Sequence, residues 1–100
     1  MVEVRQTERF AQWLEDLRDL RARARVQARI ERLIGGNPGD VRPIGSGVSE
    51  LRINYGPGYR VYYQQKGSTL IILLAGGDKS SQVIDIEEAL MLARQIKENG

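Results

Sequence analysis

The residues with the most chemistry to offer lie between Glu50 and Tyr63, where two arginines fall on strand-like runs. Side chains alternate between the two faces of a β-strand. Leu51 and Ile53 therefore share one face, and Arg52 and Asn54 share the other. On the next run Val61 and Tyr63 share a face, with Arg60 and Tyr62 opposite them. Gly56-Pro57-Gly58 joins the two runs as a hairpin turn. Two guanidinium groups can then converge on one face of a small sheet, where their planar forks suit a phosphate. The chain has no histidine and no cysteine. That removes the usual acid–base side chain, thiolate catalysis and disulfides.

Charge is more informative in kind than in amount. The net value is +2, and arginine supplies twelve of the fifteen basic residues. Residues 18 to 32 carry Arg18, Arg21, Arg23, Arg25, Arg29 and Arg32 against Asp19 and Glu31. Residues 78 to 100 lean acidic. Such a split suggests a basic surface for nucleic acid. Taken alone, the helix charges favour an ordinary solvated face.

The elements that must position these residues follow from punctuation and period. Glu3 to Gln6 reads as a short strand, and Thr7 as the N-cap of a helix that places Phe10, Trp13, Leu14 and Leu17 on one stripe. Trp13 belongs between that helix and the sheet. A break near Asp19 leads to a second helix over about 20–34, with Val26, Ile30, Leu33 and Ile34 aligned. Gly35-Gly36-Asn37-Pro38-Gly39-Asp40 is a loop. Strands are expected over 48–54, 59–66 and 69–76, and a last helix over 86–97 with Ala89, Leu90, Leu92, Ala93 and Ile96 inward. Leu70 to Leu74 is apolar at every position, so that strand should be central and should pair with the first. The order β-α-α-β-β-β-α makes one α+β domain over residues 1–100, an antiparallel sheet with two N-terminal helices on one face. The other face would be partly open and would carry Arg52, Arg60 and Tyr62. No run approaches the about 18 apolar residues of a membrane span. The charged N-terminus has no apolar leader core, so cytoplasm is the expected compartment.

The motifs Phe10-x-x-Trp13-Leu14, Gly36-Asn37-Pro38-Gly39-Asp40, Glu50-Leu51-Arg52-Ile53, Gly58-Tyr59-Arg60-Val61-Tyr62-Tyr63 and Gly76-Gly77-Asp78-Lys79-Ser80-Ser81-Gln82, followed by Asp85-Ile86, occur in this order over nearly the whole chain. In order and spacing the chain resembles the RelE/ParE superfamily of type II toxins, and within it the HigB-like, phage-Gp49-like branch of addiction module killer proteins. The resemblance implies a microbial-RNase-like fold and ribosome-dependent cleavage of messenger RNA in the A site. It also implies inhibition by a cognate antitoxin, a helix-turn-helix (HigA-like) protein in a higher-order complex, docked on the sheet face or on the first two helices. It places Arg60 where mRNA-cleaving members hold the scissile phosphate. Arg52 falls at a basic position on the preceding strand, and Lys79 at one after the buried strand. Glu50 stands where some relatives carry a second basic residue, and Asp85 about where some carry a C-terminal tyrosine.

RNA brings its own nucleophile, the ribose 2′-OH. Attack on the adjacent phosphate gains most from positioning and from cations aimed at the developing charge. Arg52, Arg60 and Lys79 can supply these without a metal or cofactor. Tyr62 and Asp78 complete the candidate catalytic set. Glu50, Asp85 and Tyr55 are further candidates for the general base, a tyrosine serving only if its pKa is lowered. Arg21, Arg25, Arg29, Arg32 and Arg42 are the candidate contacts to RNA or the ribosome. Two other readings share the fold: a ParE-like poison of DNA gyrase, and a non-enzymatic nucleic-acid-binding module.

Overall fold

In the computed structural model, which describes residues 2–99, the chain runs β1 (Glu3–Gln6), α1 (Glu8–Asp16), α2 (Leu20–Ile34), β2 (Val41–Gly45), β3 (Val48–Ile53), β4 (Tyr59–Lys66), β5 (Leu70–Gly77), a 3-10 turn (Lys79–Ser81) and α3 (Gln82–Asn99). Both N-terminal helices start on side-chain caps. The Thr7 hydroxyl accepts from the Phe10 amide, and the Asp19 carboxylate accepts from the amides of Arg21 and Ala22. These bonds satisfy donors that a helix start leaves free.

The five strands form one sheet in the order β1-β5-β4-β3-β2. The expected pairing of the first strand with the apolar one is present, but β1 runs parallel to β5, so the sheet is mixed. No hairpin follows β1, and helices take the chain away, so nothing forces it antiparallel to its neighbour. A strand missing from the expected set is β2, which contains Pro43 and Gly45 and shifts register between them. A proline cannot donate to a ladder, which confines it to edge strands, and β2 is an edge. The apolar strand β5 is flanked on both sides, though β4 holds the middle of the sheet. From Ile71 to Gly77 every residue of β5 is buried.

Each face of the sheet carries its own core. Phe10, Val26, Ile30 and Leu33 from α1 and α2 pack on Leu51, Ile53, Val61, Tyr63, Ile71 and Leu73. Trp13 sits over Gly76, where an added Cβ would come within 2.2 Å of its ring. The second face is less open than expected, because α3 lies across it. Ala89 and Ala93 pack there against Val48, Tyr62, Ile72, Leu74 and Ala75, and their small side chains let the helix come close. The helix begins four residues before the expected start, since Asp78 caps the 3-10 turn that leads into it. The part of this face bearing Arg52 and Arg60 is not sealed by the apolar packing, and a cleft forms there.

Candidate active site

Arg52 and Arg60 are direct partners across β3 and β4. Like charges directly opposite each other on a sheet repel, so the pair needs a counter-charge. Glu50 supplies it. The period of two puts Glu50 on the same face as Arg52 and opposite Tyr62, and its side chain is fully buried. One oxygen accepts from Arg52 Nε at 3.3 Å. The other accepts from Gln82 Nε2 at 2.8 Å and the Tyr62 hydroxyl at 3.1 Å, with Arg60 Nε 3.8 Å away. Burial pushes this carboxyl's pKa up, but the hydrogen bonds from Gln82, Arg52 and Tyr62 and the Arg60 charge outweigh it. The pKa is held below its ordinary value, and Glu50 is a buried carboxylate.

Arg60 is itself 9% exposed. Its Nη1 donates to the carbonyls of Gly58 and Tyr59 at 3.1 and 3.3 Å, which folds the guanidinium back on its own turn. Lys79 arrives from the other side of the sheet end. Its aliphatic carbons lie along Gly58, where a Cβ would meet Lys79 Cε at 2.9 Å. The positive φ of Gly58 gives a second reason for glycine there. Arg52, Arg60 and Lys79 thus line one cleft of about 280 Å³, together with Asp40, Ile53, Asn54, Gly56 and Gly58. The three residues expected to grip a phosphate come from two adjacent strands and the turn after β5, and they meet.

Two other candidates have different places. Tyr62 is wholly buried beneath α3 and does not line the cleft. Burial, and then the Glu50 charge, push its hydroxyl pKa up, so it is a donor to Glu50 and not a base. Asp78 caps the 3-10 turn, accepting from the Ser80 amide at 2.8 Å and from the Ser80 hydroxyl. That hydroxyl is the main reason its pKa lies below the usual value. Asp78 therefore positions the residue after it, Lys79, and lies outside the cleft lining. Tyr55 donates to Asp19, and that bond raises its pKa, the reverse of the lowering that a tyrosine base requires. Asp85 is buried, accepting from the Ser81 hydroxyl at 2.5 Å with Arg9 Nη2 at 3.5 Å. The carboxylate in the cleft is Asp40, 3.9 Å from Arg52 Nη1. Among the described residues no group of three or more His, Cys, Asp or Glu is placed to hold a metal ion.

The helix arginines divide in the same way. Arg25, Arg29 and Arg32 line a neighbouring cavity of about 290 Å³ that shares Ile53 and Asn54 with the cleft. Arg25 stacks over the Tyr55 ring at 4.8 Å, and the Tyr55 hydroxyl donates to Asp19 at 3.0 Å. The β3–β4 turn is thereby pinned to the start of α2. Arg29 is a structural clamp: it donates to the carbonyl of Arg52, to that of Pro38 at 3.0 Å and to that of Asp40 at 3.3 Å. Burial lowers its pKa. Arg21 and Arg42 are exposed and line neither cavity.

The clamp has a measurable consequence. Arg29→Ala leaves three carbonyls without their charged donor and should cost about 2–3 kcal/mol in thermal or urea unfolding. Arg21→Ala should stay within about 0.5 kcal/mol. Equal effects of the two substitutions would remove Arg29's structural role.

The sequence reading missed Glu50 as the organising carboxylate, Gln82 as its partner and Arg29 as a clamp. The signal for Glu50 was present: a carboxylate two residues before Arg52 must share its face. No local pattern announces Gln82, whose partner lies 32 residues away, or Arg29, whose partners lie 9, 11 and 23 residues away.

The family described as phage-derived protein Gp49-like matches residues 12–98 of the chain. An uncharacterised protein of Haemophilus influenzae is 46% identical over 95 residues, covering 95% of this chain and 96% of the relative.

Proposed function

The chain belongs to the phage-derived Gp49-like family, which is linked to toxin–antitoxin modules, and from that premise we propose that it is a HigB-like, ribosome-dependent mRNA endonuclease. Membership implies a cognate antitoxin as partner. A helix-turn-helix protein is the form we assign to it. The observation that carries the nuclease reading is the convergence of Arg52, Arg60 and Lys79 on one cleft. A gyrase poison has no need of a phosphate-gripping cleft.

In the proposed reaction the 2′-OH attacks the adjacent phosphorus in line. The O5′–P bond breaks, leaving a 2′,3′-cyclic phosphate and a 5′-OH fragment. Arg52 and Arg60 bind the non-bridging oxygens, where charge accumulates, and Lys79 offers an N–H to the departing oxygen. Asp40, the carboxylate lining the cleft, accepts the 2′-OH proton in this scheme. The cations are held before substrate arrives, Arg52 by Glu50 and Arg60 by its turn carbonyls. Such preorganisation is what makes electrostatic stabilisation effective. A cleft with so few titrating groups leaves alignment of the message to the ribosome.

The test is cleavage of one labelled message by the purified protein, free and on translating ribosomes, with the fragment ends identified chemically. Cyclic-phosphate ends formed only on ribosomes support the reading. Equal cleavage of free message removes the ribosome from it, and intact message in both arms removes the nuclease.

A further inference from the structure

A groove of about 380 Å³ lies on the same sheet face as the cleft but further along β4, lined by Ser46, Gln64, Lys66, Ala93, Arg94 and Lys97. Three of these six residues are cationic, and no carboxylate is among them. The three cations are exposed, and they come from two elements. Lys66 ends β4, while Arg94 and Lys97 lie in the last turns of α3. The third wall is the tight β2–β3 turn, where Ser46 takes a positive φ of 55° between two positive-φ glycines. Gln64 Nε2 reaches the Ser46 carbonyl at 3.4 Å and ties that turn to β4. A left-handed non-glycine residue costs free energy that the surrounding structure must supply. Here it brings a hydroxyl-bearing residue to the groove.

We propose that this groove is a second RNA-backbone site, binding phosphodiester groups remote from the cleaved one. The proposal rests on the nuclease reading above. The lining suits phosphate: positive charge, a hydroxyl and an amide. It does not suit a protein anchor, because Ala93 is its one apolar residue and binding hot spots need large buried side chains. The placement also fits. Arg60 stands near the start of β4 and Lys66 at its end, about 20 Å apart at the rise of a strand. Likewise α3 begins beside Glu50, through Gln82, and ends at the groove. One polynucleotide, or a message and a ribosomal RNA strand, would touch both sites.

The experiment compares the wild type with K66E/R94E/K97E and with the milder K66Q/R94Q/K97Q, all checked for thermal unfolding. Binding is measured to a labelled 15-nucleotide single-stranded RNA and to vacant ribosomes across a salt series. None of the substituted residues lines the cleft, so the Arg60 site keeps its own residues. The charge-reversed variant should bind at least about tenfold more weakly. Its log–log salt slope should be shallower by about 2, as expected for three lost phosphate contacts on a single strand. Loss with the 15-mer assigns the groove to messenger RNA, and loss with ribosomes alone assigns it to ribosomal RNA. Unchanged binding of both probes, beside a wild type that binds, overturns the groove and leaves the nuclease reading intact. A wild type that binds neither probe overturns both.

Discussion

Arg60→Ala should lower message cleavage by about 10²–10³-fold, the usual effect of removing one preorganised donor from a charge-stabilising site. The reason is specific to its setting. Arg60 is 9% exposed, fastened to the Gly58 and Tyr59 carbonyls and 3.8 Å from a buried carboxylate. No neighbouring cation can swing into its place, because Arg52 is tied to Glu50 and Lys79 runs along Gly58. Arg60→Lys restores the charge but not the planar guanidinium, and should recover only part of the rate. Thermal unfolding of each variant separates lost chemistry from lost fold. A folded Arg60→Ala protein that cleaves at the wild-type rate would show that the cleft does not hold the reacting phosphate.

The second large effect belongs to Glu50. Glu50→Gln keeps the size of the side chain and removes the charge that balances two arginines in a fully buried position. Breaking a buried ion pair from one side costs about 3–5 kcal/mol, which for a domain of this size lowers Tm by roughly 15–25 °C. Arg52 also loses the acceptor that orients it, so cleavage should fall with stability. The pH dependence follows from the lowered folded-state pKa. The unfolded chain takes up the proton first, near the ordinary glutamate value of about 4.3. The stabilisation is therefore full above that pH and is lost as pH falls through the folded value. Wild-type stability should drop over that acidic range, and the Glu50→Gln curve should be flatter there. Parallel curves for the two proteins would deny Glu50 its role as the ionised hub.

Much of this arrangement was legible before the structure. Period-two alternation alone put Arg52 and Arg60 on one face, and the register makes them partners. The family resemblance put Lys79 just after the buried strand, and the structure brings it to the cleft of the two arginines. Less legible was everything set by distant contacts. The parallel pairing of β1 depends on a route through two helices, and β2 is disguised by Pro43, tolerable because the strand is an edge. Tyr62 and Asp78 have residue types suited to catalysis, but burial turns one into a hydrogen-bond donor for Glu50, and capping turns the other into a positioner of Lys79. Arg29 sits in a run of helix arginines that look alike in sequence. Only the loop folding back over α2 gives it three carbonyl partners.

Membership of the family implies a cognate antitoxin as partner. No helix among the described residues is long and apolar enough to cross a membrane.

The most direct measurement is induced expression of the wild type and of Arg60→Ala in growing cells, with growth followed and the 5′ ends of messenger RNA mapped in the same cultures. The account predicts arrest by the wild type with new ends inside translated regions, and loss of both with Arg60→Ala at equal protein level. Arrest with intact message, accompanied by DNA breaks or gyrase inhibition, would contradict it and turn the arginine cleft into a binding surface.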